Sequence, residues 1–264
     1  MIPIRHPAQV RTPEAQVRGL TQTLASLAAQ TQAETVVRIA CNREQRLPEA
    51  AAGATLCHVD LPPNAALEAA TSRNETYAAI RADKGRRVAA AVADVPETDL
   101  VMVVDDDDLI HRRLAEHVLA DTSGDAHVID KGYLWTDGAP RMRRIDAFHT
   151  RCGTSLIFEA RAFRYVREGA RDEGAYDELG SHRIIAPGRA GMTFRPVPFA
   201  AAIYRLGHRN ASQTDVAASR GALGRVLAGA KGLREGALAR QRMTDAIRAD
   251  FFGGGPATAA TQTG

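Results

Sequence analysis

Hydrophobic positions follow two different spacings along the first half of the chain. Short apolar runs that end at polar residues or proline predict strands at residues 2–4, 36–41 and 55–59. Apolar residues three and four positions apart predict helices at residues 13–30, 65–82 and 86–93. Thr12 and Pro13 are a typical helix start, and residues 83–85 (DKG) predict a break between the second and third helices.

The most apolar short run, residues 100–104 (LVMVV), is followed directly by four aspartates. Three of its five residues are valine, which predicts a strand buried on both faces of a parallel sheet. Because aspartate is a poor strand former, we expect the strand to end at Val104. Ligands of open α/β sheets bind beyond the carboxyl ends of the strands, so residues 105–108, the acidic run, are expected in such a crevice.

The order strand, helix, strand, strand, helix, strand predicts an α/β protein with a mostly parallel, doubly wound sheet flanked by helices. Beyond the acidic run, a helix is expected at residues 111–119, and residues 217–251 predict a helical extension. Further strands are expected at residues 126–129, 130–138, 152–158 and 194–204. We therefore divide the chain into a domain at 1–215, a helical extension at 216–252 and a disordered tail at 253–264.

The acidic run has a chemical and a structural interpretation. Two like charges about 4 Å apart repel by about 1 kcal/mol even in water, so clustered carboxylates favour a cation. Oxygen ligands favour Mg²⁺, Mn²⁺ or Ca²⁺ over zinc or copper. The alternative is a solvated acidic loop that caps the next helix, and this role is the preferred one for Asp108, next to a helix start at His111.

Composition limits the partners of the protein. With a net charge of +3 and 5% aromatic residues, the chain of 264 residues lacks the signature of a nucleic-acid-binding protein. Lys84, Lys131 and Lys231 are its only lysines; such a preference for arginine favours anionic ligands, and a compositional bias of the source genome explains it equally well.

No apolar run reaches the roughly 18 residues of a membrane span, and the first residues lack a signal-peptide core, so we expect a cytoplasmic protein. The basic side chains at 216–252 leave peripheral membrane contact and a homodimer open. Three cysteines without metal-ligand spacing are expected to be reduced and structural.

Several segments together resemble the GT-A fold of glycosyltransferases, particularly the family 2-like group. They are IPIRHP, a helix ending in SLAAQT, a strand ending in CN, DKGRRVAAA, VMVVDDDDLI, CGTSLIF and YRLGHRNAS, within roughly residues 1–215. The resemblance implies a hexosyltransferase-like enzyme of polysaccharide biosynthesis. It would use Mn²⁺ or Mg²⁺ to transfer a sugar from a nucleotide diphospho-sugar, chiefly a UDP-sugar, to a saccharide or related acceptor, with inversion.

The resemblance also implies roles for individual residues. Asp105 and Asp107 correspond to the Asp-x-Asp motif, with Asp105 facing the ribose or a metal-bound water and Asp107 ligating the metal. His208 corresponds to a further metal ligand, although a lone histidine is often structural. The residues expected at the nucleotide are Arg5, His6, Asn42, Lys84, Arg86, Asp105, Asp106 and Gly153. For Lys84 and Arg86, near the start of the predicted third helix, the alternative is a purely structural one, in which their side chains are solvated at the helix start.

Two further roles concern the acceptor. An inverting transferase needs a base within hydrogen-bond reach of the acceptor hydroxyl, and the candidates are Asp177, Glu178 and His182. Trp135 and Asp137 would form an acceptor platform of an indole face and a carboxylate; a tryptophan half-buried in the core is the alternative.

Two other function classes stay open from the sequence. A nucleotidyl- or phosphoryl-transfer enzyme would be expected to carry a glycine-rich phosphate loop after the first strand, and IRHPAQVRTP does not supply one. A non-catalytic relative of the transferases would keep the nucleotide-sugar crevice without turnover.

Overall fold

The computed structural model describes residues 1–32, 34–121, 126–163, 173–181, 191–207 and 240–253. The strands are β1 (Ile2–Pro3), β2 (Arg38–Cys41), β3 (Thr55–His58), β4 (Leu100–Met102), β5 (Leu109–Ile110), β6 (Ala126–Val128), β7 (Gly132–Thr136), β8 (Arg141–Ile145), β9 (Leu156–Glu159), β10 (Phe194–Pro196), β11 (Ala202–Leu206) and β12 (Arg240–Arg242). The helices are α1 (Pro13–Ala28), α2 (Ala65–Ala69), α3 (Arg73–Val92), α4 (Leu114–Ala120), α5 (Glu173–Gly180) and α6 (Asp245–Phe251).

The main sheet has the order β3-β2-β1-β4-β9-β6-β10. The first three strands are parallel, and Met1 joins β1 to β4: its main-chain nitrogen donates to the carbonyl of Met102 at 2.7 Å, and the N–H of Val104 donates to the carbonyl of Met1 at 2.9 Å. Only β9, among the described strands of this sheet, runs antiparallel to its neighbours. The predicted α/β class with a mostly parallel sheet is thereby confirmed.

The acidic strand itself differs from the prediction. β4 ends at Met102 and pairs with the antiparallel β9 on one side, so it does not lie between two parallel strands. Its side chains alternate between fully and partly buried positions. The prediction that this strand lies between two parallel neighbours, with both faces buried, was therefore wrong. A valine-rich run carries no information about the direction of the strand that pairs with it.

Helices cover both faces of this sheet. Successive residues of β9 belong to different parts of the core: Ile157 packs in the cluster that contains Leu20 and Leu24 of α1, and Phe158 packs with Val88 of α3. Since successive strand residues point to opposite faces, α1 and α3 lie on opposite sides of the sheet. This is the predicted doubly wound arrangement.

A second sheet has the order β12-β8-β7-β11-β5. Three expectations from the sequence are wrong in this part of the chain. Residues 109–110 form β5, so α4 begins at Leu114 rather than near His111. The predicted strand at 194–204 divides into β10 and β11, which belong to different sheets. Residues 240–242 are a strand and not part of a long helix. The predicted domain boundary at 215 and the tail from 254 onward lie outside the described residues.

Helix α3 runs unbroken through residues 83–85, where the sequence predicted a break. Gly85 lies in the middle of this helix because α5 packs directly on it: a Cβ at Gly85 would overlap the carbonyl oxygen of Tyr176. Reciprocally, a Cβ at Gly180 would overlap the carbonyl oxygen of Arg81. The two glycines let the helix backbones touch.

In the described part of the chain, no helix is long and apolar enough to cross a membrane.

We predict that Gly85→Ala destabilises the protein by about 1–3 kcal/mol, because the added methyl group collides with rigid backbone. Gly19→Ala, in the middle of α1, is the matched control: its Cβ would meet neighbouring atoms only at 3.5 Å or more. The free energy of unfolding of Gly19→Ala should be unchanged or higher by up to about 1 kcal/mol. Urea denaturation of both variants provides the measurement, and equal effects would contradict the close helix contact.

Candidate active site

The candidate site lies at the carboxyl ends of β1, β2 and β4. The chain places β2 and β3 on one side of β1 and β4 on the other, so β1 and β4 flank a topological switch point, where open α/β sheets bind ligands. The segments that leave these strands are tied together. Gln45, after β2, donates to Gln16 of α1 at 3.0 Å, and Gln16 donates to Asp106 at 2.9 Å.

Asp105 forms an ion pair with Lys84 of α3. The Lys84 Nζ to Asp105 Oδ1 distance is 2.5 Å, and the main-chain N–H of Asp105 donates to Thr154 Oγ1 at 2.9 Å. Burial disfavours the charge of Lys84, but Asp105 outweighs this effect and the pKa of Lys84 is raised. Gly153 lies against this pair, since a Cβ there would be 2.7 Å from Lys84 Nζ.

Asp106 is held in a partly buried position and resists ionisation. Its burial, followed by the charge of Asp107, raises its pKa to about 6, although the charge of Arg5 and the hydrogen bond from Gln16 act in the opposite direction. Burial is thus the larger cause of the raised pKa, and repulsion from the neighbouring aspartate adds to it. A cation bound there would relieve that repulsion.

Asp108 is fully buried. It accepts hydrogen bonds from Cys152 Sγ at 3.1 Å and from the main-chain N–H of Arg205 at 3.3 Å. Its pKa is raised well above the usual value, first by burial and then by the charges of Asp107 and Asp105. The expectation that Asp108 caps a helix was wrong, because β5 separates it from α4 and its carboxylate instead joins the acidic run to β11.

The other predicted nucleotide-binding residues surround the same crevice in different ways. His6 caps the turn after β1 and lies 3.2 Å from Glu44. Asn42 is buried; it donates to the carbonyl of Leu61 at 2.7 Å and accepts from Arg87 at 2.9 Å. Arg86 lies over the Tyr176 ring, 5.3 Å from its centroid. Lys84, near the break predicted in α3, contacts the acidic run through its ion pair with Asp105.

The candidate bases are only partly described. Asp177 of α5 forms a 2.7 Å ion pair with Arg81 of α3, one helical turn before Lys84, and Glu178 follows it on the same helix. The close contact of α5 with α3 therefore brings Asp177 to the side of the helix that carries Lys84. His182 and the proposed metal ligand His208 lie outside the described residues.

Trp135 does not offer an open ring face. It is only 4% exposed, its Nε1 donates to the carbonyl of Ala139 at 2.9 Å, and its ring packs edge-on against Phe252. Trp135 is therefore a core residue, as in the alternative given above, and does not form the expected acceptor platform. Asp137 is half exposed and forms a 2.7 Å ion pair with Arg205, so it remains accessible at the end of β7.

The acidic run fits one kind of metal site. Among the described residues, no group of three or more His, Cys, Asp or Glu side chains is arranged to hold a metal ion. Mg²⁺ is typically held by one or two carboxylates together with waters and substrate phosphates. Asp107, partly exposed, and the second oxygen of Asp105 match that smaller ligand set.

Four contacting residues were not anticipated as parts of the site: Gln16, Thr154, Cys152 and Arg205. Gln16 lies on a helix predicted only as packing, and Arg205 contributes through its main chain, so neither carries a sequence signal for a site. Cys152 and Thr154 flank Gly153 in the segment CGTSLIF, where only the glycine was assigned to the nucleotide. All three cysteines are free thiols.

Comparisons with known proteins give a weak structural likeness. No protein-family model matches the chain, and no curated protein matches it. Two crystal structures of residues 1–349 of S. aureus TarS are similar at 12% sequence identity: one has a TM-score of 0.43 and is matched over 77% of this chain and 59% of that chain. The other, in complex with UDP, has a TM-score of 0.42, with 83% and 64% matched. The chain spans less than two thirds of either.

We predict that Asp106→Asn changes how stability depends on pH. The pKa of Asp106 is about 6 in the folded state, whereas that of an unfolded aspartate is about 3.9. The free energy of unfolding of the wild type therefore falls as the pH rises from about 4 to about 6, and it stays at the lower value above pH 6. The variant lacks this titration, so it should match the wild type near pH 4 and exceed it at pH 7. Urea denaturation between these pH values tests this, with the exposed Asp99→Asn as control. Parallel profiles would exclude the raised pKa.

We predict that Asp108→Ala lowers the free energy of unfolding by about 1–3 kcal/mol, because the buried N–H of Arg205 loses its acceptor. Asp107→Ala should lower the free energy of unfolding by less, because the Asp107 side chain is partly exposed and its removal relieves repulsion among the aspartates. Chemical denaturation of the two variants at neutral pH compares them directly. A larger loss for Asp107→Ala would reverse the division of roles that we infer.

Proposed function

We propose that this chain is a metal-dependent glycosyltransferase that moves a sugar from a nucleotide diphospho-sugar, with a UDP-sugar as the proposed donor, to a saccharide acceptor. The observation that supports it is the placement of the acidic run at the switch point between β1 and β4. Asp105, Asp107 and Lys84 there offer carboxylates for a cation and an ammonium group for phosphate. The segment resemblance to GT-A enzymes supports the same function.

The chemistry of transfer suits these groups. Breaking the bond between the sugar and the diphosphate leaves negative charge on the diphosphate, and fixed positive charge near that oxygen lowers the barrier. A divalent cation on Asp107 and Asp105 would supply such charge when bound. Lys84 is the second source, because its ammonium group is already held beside Asp105 and needs only to share its hydrogen bonds with a phosphate oxygen.

Asp177 is the proposed base among the described residues. Its carboxylate would take the proton of the acceptor hydroxyl while that oxygen bonds to the sugar carbon and the diphosphate leaves from the opposite side, with inversion. The ion pair with Arg81 would fix its position. Glu178 and His182 remain the other candidates for this role.

The turn after β1 does not favour phosphoryl transfer. Residues Pro7–Gln9 form a short 3₁₀ turn that begins with proline and is capped by His6, and no glycine-rich cradle for phosphate follows this strand. We therefore propose glycosyl transfer as the single function, and the experiment below separates it from binding without turnover.

We predict that UDP and Mn²⁺ together raise the melting temperature more than the sum of their separate effects, because a cation held by Asp105 and Asp107 would attract the diphosphate and each ligand would strengthen binding of the other. Asp107→Asn should abolish this coupling while the protein stays folded. Asp99→Asn, at the other end of the same strand, is the control and should keep it. Absence of metal-dependent stabilisation by any nucleoside diphosphate would count against the proposal.

Turnover is tested separately with a panel of nucleotide sugars. We expect slow Mn²⁺-dependent hydrolysis of at least one donor, measured as release of the nucleoside diphosphate, and its loss in Asp107→Asn. Binding of UDP without hydrolysis or transfer of any donor would instead identify a non-catalytic nucleotide-sugar-binding protein.

A further inference from the structure

A dense positive surface lies at the edge of the second sheet, where β8 and β12 pair. In this antiparallel ladder Arg143 is directly opposite Arg240, and Arg141 is directly opposite Arg242. Directly opposed side chains share one face and have Cβ atoms about 4.5–5.5 Å apart, and like charges in that position destabilise a sheet. We call these four residues the arginine ladder.

The arginine ladder is open to an anion. Arg141, Arg240 and Arg242 are exposed, and within the described residues no carboxylate pairs with the ladder, whereas Arg205 on β11 is neutralised by Asp137. Edge strands often carry a charge that discourages pairing with other chains. Two directly opposed pairs of like charge exceed that need and carry a repulsion that a bound anion would remove.

The sheet connects the arginine ladder to the acidic run. From Arg143 the row of opposed residues continues through Leu134 of β7 to Tyr204 of β11, and the next residue, Arg205, donates its main-chain N–H to Asp108. Because neighbouring strands are about 4.8 Å apart, the ladder lies about 15–20 Å from the acidic run. This span suits a polymer better than a single sugar.

The path between them is exposed at the carboxyl ends of β7 and β11. Thr136 is directly opposite Leu206; Thr136 is exposed and Leu206 is partly exposed. Asp137 follows at the end of β7, and the chain then turns back into β8 at Arg141. A molecule that leaves the crevice across these strands would therefore meet the arginine ladder next.

We propose that the arginine ladder binds the anionic groups of the acceptor, so that the acceptor is an acidic saccharide chain with carboxylate or phosphate groups. This inference rests on the proposed glycosyltransferase function, which makes a saccharide the second substrate. Arginine binds carboxylate and phosphate through two parallel hydrogen bonds. An anion between opposed guanidinium groups would pair with both and offset their repulsion.

Two other polyanions fit the surface less well. Single-stranded nucleic acid is bound through exposed aromatic rings as well as charge, and Trp135, the only tryptophan, is buried. Membrane-surface binding combines basic residues with exposed apolar ones. The exposed large apolar residues of the described chain are Val36, Leu56 and Leu119, and none of them belongs to β8 or β12.

The test is direct binding of labelled oligosaccharides by fluorescence anisotropy. The probes are oligogalacturonate, a phosphorylated maltooligosaccharide, the neutral maltooligosaccharide, an oligothymidylate, and phosphatidylcholine vesicles with and without phosphatidylglycerol. The variant Arg141→Gln/Arg242→Gln removes one opposed pair. Arg18→Gln/Arg73→Gln removes the same charge from exposed arginines of α1 and α3 and is the matched control.

We expect the wild type to bind at least one acidic oligosaccharide and not the neutral one. Affinity should fall about tenfold in the ladder variant, from two lost charge contacts, remain unchanged in the control, and weaken as salt shortens the screening length. Equal losses in both variants, no acidic binding, or ladder-dependent preference for oligothymidylate or anionic vesicles would overturn the inference.

Failure of this inference and failure of the proposed function give different results. If UDP with Mn²⁺ stabilises both variants and acidic oligosaccharides bind them equally, only the ladder inference fails. If ladder-dependent binding of acidic oligosaccharides persists and no nucleoside diphosphate binds, the surface stands and the glycosyltransferase function fails. A melting temperature of the ladder variant at or above that of the wild type excludes unfolding as the cause of lost binding, since removal of one opposed pair relieves repulsion.

Discussion

The placement of four neighbouring carboxylates at the end of β4 is the constraint on which the rest of the site depends. Three of them are held by different parts of the chain: Asp105 by Lys84 of α3, Asp106 by Gln16 of α1, and Asp108 by Cys152 and the main chain of β11. Because these partners come from both faces of the main sheet and from the second sheet, the acidic run joins the two sheets and both helical layers.

This arrangement divides the aspartates by function. Asp108 is buried and joins backbone segments, so its contribution is to stability, while Asp107 is partly exposed at the crevice. The pKa of Asp106 is raised first by burial and then by the charge of Asp107. A site that is incompletely neutralised is suited to a cation and a diphosphate that arrive together, since each contributes charge of the sign that the other needs.

Close packing of α3 and α5 positions the groups on the other side of the crevice. Gly85 and Gly180 let the two backbones touch, which places Arg81 and Asp177 within ion-pair distance and leaves Lys84 directed at Asp105. The same glycine was interpreted from the sequence as a helix break, because local propensity penalises glycine in a helix by about 1 kcal/mol. Tertiary contact outweighs that penalty here.

The sequence by itself determined the α/β class, helix α1 and the placement of the acidic run after an apolar strand, because hydrophobic spacing and strand propensity act locally. Only the tertiary structure decided which groups meet: Lys84 contacts Asp105, Asp108 binds the main chain of β11, and Trp135 enters the core. It also decided that β9 runs antiparallel and that Arg141 and Arg143 face Arg242 and Arg240. These outcomes depend on strand direction and register between distant segments, and local spacing carries no information about either.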